Sequence, residues 1–300
     1  MTYHTTVLLH EGVEALAIEP NGVYVDATFG GGGHSRRILD LLVEGKLLAF
    51  DQDSDAEQNK LDDERFILCK ANFRYLKNFL TANHIDKVDG VLADFGVSGH
   101  QFDEAYRGFS FRFDAALDMR MNISQSLSAK TVINEYDEAE LKRVFWKYGE
   151  ISYAAKLVKH IISERSEKPI DTISGFIQIV ERVVPERKRK SELAKIFQAI
   201  RIEVNDEIGA LKDFIQAAAE CLKPGGRFVA ISYHSLEDRP VKHFLRSGNF
   251  DDKQEKDLYG NVNRPLDPHG KVITPSPEEI ELNPRARSAR MRIGIKRSNG

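Results

Sequence analysis

A short strand that runs into four consecutive glycines and then into a helix is the feature that most constrains the fold of this chain. The strand is predicted over Val23–Asp26, the glycines are Gly30–Gly33, and the helix is predicted from His34 to Val43. Glycine lets the backbone take left-handed conformations and approach a ligand with no Cβ in the way. This strand–loop–helix unit is typical of nucleotide-binding α/β folds, although many turns need glycine only in order to turn.

Strands and helices alternate along both ends of the chain. Lys46–Phe50, Val88–Ala93 and Arg227–Ser232 are short apolar runs that predict three further strands. A helix is predicted from Phe73 to Asn83, ahead of the strand at Val88. Alternating strands and helices indicate a doubly wound α/β fold with a parallel sheet.

The stretch between the third and fourth predicted strands is too long for one crossover, and its pattern is helical. Asp137 and Glu140 predict a capping box at the start of a helix that ends at Gly149. Further helical patterns cover Ala154–Ile162, Ile173–Val184 and the apolar positions from Leu193 to Ile215. We therefore predict a helical insert over residues 105–205, inside an α/β domain formed by residues 1–104 and 206–300.

Composition limits the classes of protein to which the chain can belong. The 300 residues carry a net charge of −3, which excludes a global electrostatic grip on nucleic acid but not a local basic surface. The two cysteines, Cys69 and Cys221, are too few for a disulfide framework or a cysteine-rich zinc module. No apolar run approaches the length of a membrane span. We expect a soluble, cytoplasmic protein without a structural metal.

The glycine loop and a later acid together predict a nucleoside-containing cofactor. Asp51 ends the strand after the loop, about 20 residues on, where an acid usually binds ribose hydroxyls. Ser35 breaks the dinucleotide pattern, and Asp26 can face an ammonium group of the cofactor, directly or through its backbone. Leu222–Ile231 is a helix–turn–strand unit typical of class I methyltransferases. These features favour S-adenosylmethionine over a nicotinamide cofactor. A nicotinamide-dependent oxidoreductase stays an alternative.

Asp94 ends the strand Val88–Ala93, and the polar and aromatic residues after it predict the second half of a site. Ligands of open α/β sheets bind beyond the carboxyl ends of the strands, so we expect Asp94 between cofactor and substrate. The alternative role of this carboxylate is to cap a loop. Three aromatic residues follow in the insert. They are expected either to stack on an extruded base or to pack in the core of the insert: Phe109, Phe111 and Phe113.

Two segments are rich in cations. One is Arg182–Lys190 in the insert; the other is residues 283–297, which hold six basic and no acidic residues. We expect them to contact RNA phosphates, the alternative being a solvated surface or a disordered end. Before the second segment, Ser247–Pro284 is predicted as a long irregular connection.

Several blocks of sequence resemble one known family. They are Asp26–His34, Asp94–Ser98, Arg107–Phe111, Leu117–Met121, Phe197–Arg201, Ile231–Arg239 and Asn283–Ser288. In this order they resemble the 16S ribosomal RNA (cytosine-N4) methyltransferases, the family called RsmH or MraW. The resemblance implies a class I (Rossmann-like) methyltransferase domain with an inserted helical domain. The chain departs from the family pattern at Ser98–Asp103 and at Lys188–Ile196.

The resemblance also implies the site residues. Those expected to contact the cofactor are Gly32, Gly33, His34, Asp51, Phe73, Asp94 and Gln101. Those expected to act in catalysis are Asp94, Asp118 and His234, with Asp94 as a hydrogen-bond acceptor for the amine of cytosine. Those expected to bind RNA are Arg107, Phe109, Arg120, Arg187, Lys188, Arg285, Arg287 and Arg290.

The implied activity is S-adenosylmethionine-dependent N4-methylation of one cytidine in the 16S rRNA of the small ribosomal subunit. A ribosome-assembly factor that binds cofactor and RNA without chemistry is the alternative from another class. No membrane partner and no metal are expected, and a homodimer is left open.

Overall fold

The computed structural model describes residues 6–96 and 104–298. The chain divides into two compact units, of which the first combines Met1–Gly96 with Ile208–Gly300 and the second is Val97–Glu207. The strands are β1 (Val23–Asp26), β2 (Lys46–Asp51), β3 (Phe66–Lys70), β4 (Val88–Asp94), β5 (Leu222–Ser232), β6 (Leu266–Ile273) and β7 (Arg290–Lys296). The helices are α1 (Leu9–Ala15), α2 (Gly33–Leu39), α3 (Leu76–Ala82), α4 (Ala129–Glu135), α5 (Glu138–Gly149), α6 (Ala154–Glu167), α7 (Ile173–Glu181), α8 (Arg189–Asn205), α9 (Glu207–Cys221), α10 (Ser235–Ser247) and α11 (Pro277–Leu282).

The first unit is built on one seven-stranded sheet in the order β3-β2-β1-β4-β5-β7-β6. Strands β1 to β5 are parallel, and β7 runs antiparallel to both of its neighbours. The register pairs Asp26 with Leu92 and Asp94 with Ile231, so the last residues of β1, β4 and β5 meet at one edge of the sheet. The strands predicted at Val23, Lys46, Val88 and Arg227 are thereby confirmed.

Both faces of the sheet are covered, because successive strand residues alternate between two buried clusters. Leu47 and Ala49 belong to a cluster with residues of α1 and α2, whereas Leu48 and Phe50 belong to one with residues of α3, α9 and α10. Strands that are buried on both faces read as continuous apolar runs, which is why they could be recognised from sequence. The doubly wound arrangement is confirmed.

The predictions for the C-terminal third were partly wrong. Ser247–Pro284 is not one irregular connection, since it contains β6 and α11. The basic segment is neither a tail nor disordered: Met291 and Ile293 of β7 are buried in the sheet. Arg292 is held by Asp238 through two hydrogen bonds of 2.6 and 2.9 Å. Strand β3 had no predicted counterpart.

The second unit packs α4 to α8 around its own hydrophobic core, which includes Phe145, Phe176 and Phe197. The capping box at Asp137 and Glu140 is confirmed at the start of α5. The periodicity from Leu193 to Ile215 is split between α8 and α9, because Asp206 takes a left-handed φ of 46° between them. No helix among the described residues is long and apolar enough to cross a membrane.

Candidate active site

Hydrogen bonds join the residues that follow the five parallel strands along the carboxyl edge of the sheet. Each bond links the ends of two neighbouring strands. Asn72 Nδ2 after β3 donates to Gln52 Oε1 after β2 at 3.1 Å, and the Gly30 N–H after β1 donates to Asp51 Oδ2 at the end of β2 at 2.9 Å. The Asp94 N–H at the end of β4 donates to Thr28 Oγ1 after β1 at 2.7 Å, and Tyr233 Oη after β5 donates to Asp94 Oδ1 at 2.8 Å. Ligands of open α/β sheets bind at this edge. The predicted residues Asp51 and Asp94 are therefore parts of one connected site.

The glycine loop offers bare backbone beside Asp51. Gly30 has a φ of +50°, which residues with a side chain rarely adopt. A Cβ built on Gly30 would have Thr28 O as its neighbour at 4.0 Å, and one built on Gly31 would meet no described atom within 4 Å. The space in front of Gly30 and Gly31 is open, so a side chain there would fill a cradle that a ligand can occupy.

The other two glycines of the loop allow close packing. A Cβ on Gly32 would lie 2.9 Å from the ring of Phe29, and one on Gly33 would overlap Thr6 Oγ1. Gly32 also has a φ of +76°. Neither position can take a larger residue without a shift of its neighbours. Contact of Gly32 and Gly33 with a cofactor stays a prediction.

The Asp51 carboxylate is fixed by two backbone groups. Oδ2 accepts the Gly30 N–H, and Oδ1 accepts the Asp53 N–H at 2.9 Å. Burial raises the pKa of Asp51 to about 6, although both hydrogen bonds lower it. Each carboxylate oxygen can accept more than one hydrogen bond. Asp51 can therefore also bind a pair of ligand hydroxyls when it is ionised.

Asp26 makes its hydrogen bonds within the protein. Its carboxylate is fully buried and accepts hydrogen bonds from Ser35 Oγ at 2.6 Å and from the Thr28 N–H at 3.1 Å. Burial raises the pKa of Asp26. The carboxylate thus ties the end of β1 to the first turn of α2. A contact of Asp26 with a ligand ammonium, directly or through its backbone, stays a prediction.

His34 is also an interior residue. Its side chain is buried, and burial lowers its pKa, so the ring is neutral at pH 7. A buried neutral ring gives a ligand no charged group. His34 stands in the first turn of α2, and its buried Nε2 has no hydrogen-bond partner among the described residues. Contact of His34 with a cofactor stays a prediction.

Asp94 lies at the centre of the row of hydrogen bonds. Burial raises the pKa of Asp94 to about 7, and the nearby carboxyl groups of Asp26, Glu237 and Glu279 raise it further, whereas the hydrogen bond from Tyr233 lowers it. The side chain is only partly buried. At neutral pH Asp94 can therefore both accept a hydrogen bond from an amine and exchange a proton with it.

Phe73 and His234 flank the two ends of this edge. The ring of Phe73 packs 5.2 Å from that of Phe214 and 6.0 Å from that of Phe95, and it is only partly buried. His234 Nε2 lies 2.9 Å from Glu237 Oε1, at the N-cap of α10. Both ring nitrogens of His234 are nevertheless buried without a hydrogen-bond partner among the described residues, so its catalytic role stays a prediction.

In the second unit, two predicted site residues pair with each other. Arg120 donates to both carboxylate oxygens of Asp118 at 2.8 Å, and also to the carbonyls of Ile123 and Gln125. Burial raises the pKa of Asp118, but the bonds from Arg120 outweigh it and hold that pKa below its usual value. The pair therefore stabilises the loop over residues 118–125. A catalytic Asp118 and an RNA-binding Arg120 stay predictions.

The expectation that Arg107 and Phe109 contact RNA is wrong for this structure. Phe109 is 3% exposed, inside the hydrophobic core of the second unit. Arg107 is 4% exposed and donates to the carbonyl oxygens of Arg120 and Met121. A buried ring presents no face to a base, and a buried guanidinium whose donors bind backbone carbonyls reaches no phosphate.

The remaining predicted cations are on the surface. Arg187 and Lys188 lie in a short 3-10 turn before α8, and Arg285, Arg287 and Arg290 lie before or at the start of β7 in the first unit. All five are exposed. Gln101 lies outside the described residues. Among the residues that the structure describes, no group of three or more His, Cys, Asp or Glu could hold a metal ion.

Sequence reasoning missed Tyr233, Thr28 and Glu237. Tyr233 comes directly after β5, which is the position at which ligand-facing residues are expected, and Glu237 lies in the first turn of α10. That position was a usable signal for Tyr233. No local pattern could reveal that Thr28 accepts the Asp94 N–H, because the two residues are 66 positions apart.

The chain is similar to known proteins over nearly its whole length. The model of the MraW methylase family matches residues 1–297. The ribosomal RNA small subunit methyltransferase H of Christiangramia forsetii is 55% identical over 297 residues, covering 99% of this chain and 98% of that protein. Its counterpart in Flavobacterium johnsoniae is 54% identical over 297 residues, with the same coverage. The crystal structure of an rRNA methylase from Streptococcus thermophilus is 12% identical, covers 98% of this chain and 99% of that chain, and has a TM-score of 0.44.

The first unit has the sheet of a class I (Rossmann-like) methyltransferase: five parallel strands, with an antiparallel β7 between β5 and β6. The helical second unit is inserted between β4 and β5. The family match and the relatives both extend over nearly the whole chain. This chain therefore belongs to the MraW methylase family.

Proposed function

We propose that the protein is a methyltransferase that uses S-adenosylmethionine to methylate N4 of one cytidine in the 16S rRNA of the small ribosomal subunit. Membership of a methylase family and two relatives named for small-subunit ribosomal RNA support the reaction class and the substrate. The observation that carries the proposal is the hydrogen-bonded row that connects the open glycine loop, Asp51 and Asp94. Such a substrate implies a cytoplasmic enzyme.

The residues present fit the cofactor. Gly30 and Gly31 leave an open cradle, and the ionised Asp51 next to it can accept hydrogen bonds from two ribose hydroxyls. Phe73 offers a partly exposed ring for the adenine. When bound, S-adenosylmethionine supplies an electrophilic methyl group on a positively charged sulfur.

Asp94 is the residue to which we assign the chemistry. The lone pair of the exocyclic amine of cytosine is delocalised into the ring, so the amine is a poor nucleophile. A carboxylate that accepts one N–H hydrogen bond localises that lone pair and stabilises the positive charge that develops on nitrogen. Formation of the new C–N bond accompanies breakage of the methyl–sulfur bond, which leaves a neutral thioether, and the methylated amine then releases a proton. With a pKa of about 7, Asp94 can take it up.

The raised pKa of Asp51 predicts that cofactor affinity depends on pH. Because only the ionised carboxylate accepts hydrogen bonds with both oxygens, binding weakens as pH falls through the pKa of about 6. We expect the Kd for S-adenosylmethionine, measured by calorimetry, to be constant above pH 7 and to rise by up to about tenfold per pH unit below pH 6. Asp51→Asn should bind weakly and show no such dependence around pH 6. A wild-type Kd that is the same at pH 5 and pH 7 would contradict the assigned role.

The exposed cations before α8 predict a salt-dependent affinity for RNA. Each phosphate contact contributes about −0.7 to the slope of log affinity against log salt concentration on single strands. Replacing Arg187, Lys188 and Lys190 together by alanine should therefore reduce the slope by about 2, measured by filter binding of 16S rRNA fragments. The matched control replaces Lys130, Lys142 and Lys195, which are ion-paired in the same unit. An equal effect of the two triple variants would contradict the assignment.

The proposed function is tested by transfer of a labelled methyl group. The purified protein is incubated with labelled S-adenosylmethionine and either naked 16S rRNA or assembled small subunits from a strain that lacks the gene. We expect about one methyl group per RNA in at least one of the two substrates. No incorporation into either would overturn the proposal and would favour an assembly factor without chemistry.

A further inference from the structure

Tyr233 contacts Asp94, and the proposed mechanism gives it no role. It is the first residue after β5, and its hydroxyl donates to Asp94 Oδ1 at 2.8 Å. β4 and β5 are neighbouring parallel strands, and their register pairs Asp94 with Ile231. The hydroxyl therefore reaches the carboxylate from the adjacent strand end.

The backbone and the ring of Tyr233 are both held in place. The Tyr233 N–H donates to Oε2 of the buried Glu237 at 2.8 Å. A Cβ on Gly96 would lie 3.5 Å from Tyr233 Cδ2, and Gly96 has a φ of +114°. The chain after β4 thus lies at van der Waals distance from the ring, and the φ of Gly96 favours glycine there. The backbone bond to Glu237 and the hydroxyl bond to Asp94 together anchor Tyr233 at both ends.

The ionisable groups around Asp94 favour its protonated form, and the Tyr233 hydroxyl opposes them. Asp26 from β1, Glu237 from α10 and Glu279 from α11 all favour the protonated form of Asp94, as does burial. The tyrosine hydroxyl acts in the opposite direction, because it donates to the ionised carboxylate. The phenol itself stays protonated, since burial and Asp94 raise the pKa of Tyr233.

We propose that Tyr233 is a positioning residue of methyl transfer, which acts through Asp94 by holding that carboxylate ionised and oriented toward the substrate amine. The inference rests on the proposed function, because it needs Asp94 to be the acceptor. It adds Tyr233, the residue directly after β5, to the catalytic role that we assign to Asp94.

The test is the pH profile of kcat for Tyr233→Phe with 16S rRNA as substrate. Without the hydroxyl, the acid limb of the profile, where kcat falls as the pH is lowered, should have its midpoint about one pH unit higher than in the wild type. The expected loss is then about eightfold at pH 6.5 and less than about twofold at pH 9, with the Kd for S-adenosylmethionine unchanged. A merely structural role would lower kcat by the same factor at every pH.

The matched control is Tyr153→Phe. Tyr153 also donates its hydroxyl to a carboxylate, Glu192 Oε2 at 2.6 Å, but it lies in the second unit. This variant should keep the wild-type profile. A second variant with 2,3-difluorotyrosine at position 233 strengthens the donor and keeps the ring, so it should move the acid limb to lower pH.

The outcomes separate the inference from the proposed function. A Tyr233→Phe profile that coincides with the wild-type profile, or one that falls equally at all pH values, overturns the role of Tyr233 while the methyltransferase assignment stands. If Tyr233→Phe does not fold, an unmoved limb in the difluorotyrosine variant has the same meaning. A wild-type protein that transfers no methyl group overturns both.

Discussion

Replacing Asp94 by asparagine is expected to lower kcat for methyl transfer by about 100- to 1,000-fold, the usual cost of losing one preorganised group that stabilises charge in the transition state. Asparagine has nearly the same shape, but its amide carries no charge and cannot take up the proton from the amine. The Kd for S-adenosylmethionine should change by less than about threefold, because the substitution keeps the Asp94 N–H bond to Thr28 Oγ1. Steady-state transfer of a labelled methyl group to 16S rRNA at saturating substrate measures kcat, and calorimetry measures the Kd.

The matched control for this variant is Asp89→Asn. Asp89 lies on the same strand, but it accepts the Val23 N–H at 2.8 Å and pairs with Lys223 away from the carboxyl edge. Its loss should affect stability and leave turnover near the wild-type value. If Asp94→Asn binds cofactor and keeps full turnover, Asp94 is not the acceptor.

Replacing Asp51 by alanine is expected to raise the Kd for S-adenosylmethionine by at least about 100-fold. Hydrogen bonds to a charged group are worth about 1.5–3 kcal/mol each, and a ribose offers two hydroxyls. The variant also frees the N–H groups of Gly30 and Asp53, which loosens the glycine loop. Calorimetry measures the Kd, and Asp89→Ala serves as the control for a lost carboxylate that accepts a backbone N–H. A Kd within about threefold of the wild-type value would contradict the site.

Much of the α/β core could be predicted because its signals are local. β1 and β2 are short, mostly apolar runs, β4 holds the apolar run Val91–Ala93, and the glycines after β1 mark a turn. Asp51 and Asp94 follow strands directly, so their place at the carboxyl edge needed only the direction of the chain. The capping box of α5 is contained within four residues.

The errors occur where the structure depends on distant partners. Strand β7 alternates arginine with Met291 and Ile293, and it reads as a basic tail until Asp238, 54 positions away, neutralises Arg292. Phe109 has the same local pattern whether it stacks on a base or fills a core. Only the packing of the second unit decides between the two. Tyr233 meets Asp94 through the register of β4 and β5, which no local pattern contains.

The most direct measurement of the central claim is the identity of the methylated nucleoside. RNA from the transfer reaction is digested to nucleosides and analysed by mass spectrometry against the isomeric methylcytidines. If Asp94 activates the exocyclic amine, wild-type protein yields N4-methylcytidine and Asp94→Asn yields almost none. 5-Methylcytidine or 2′-O-methylcytidine as the product would contradict the assignment of Asp94, because neither atom is an amine that this carboxylate could activate.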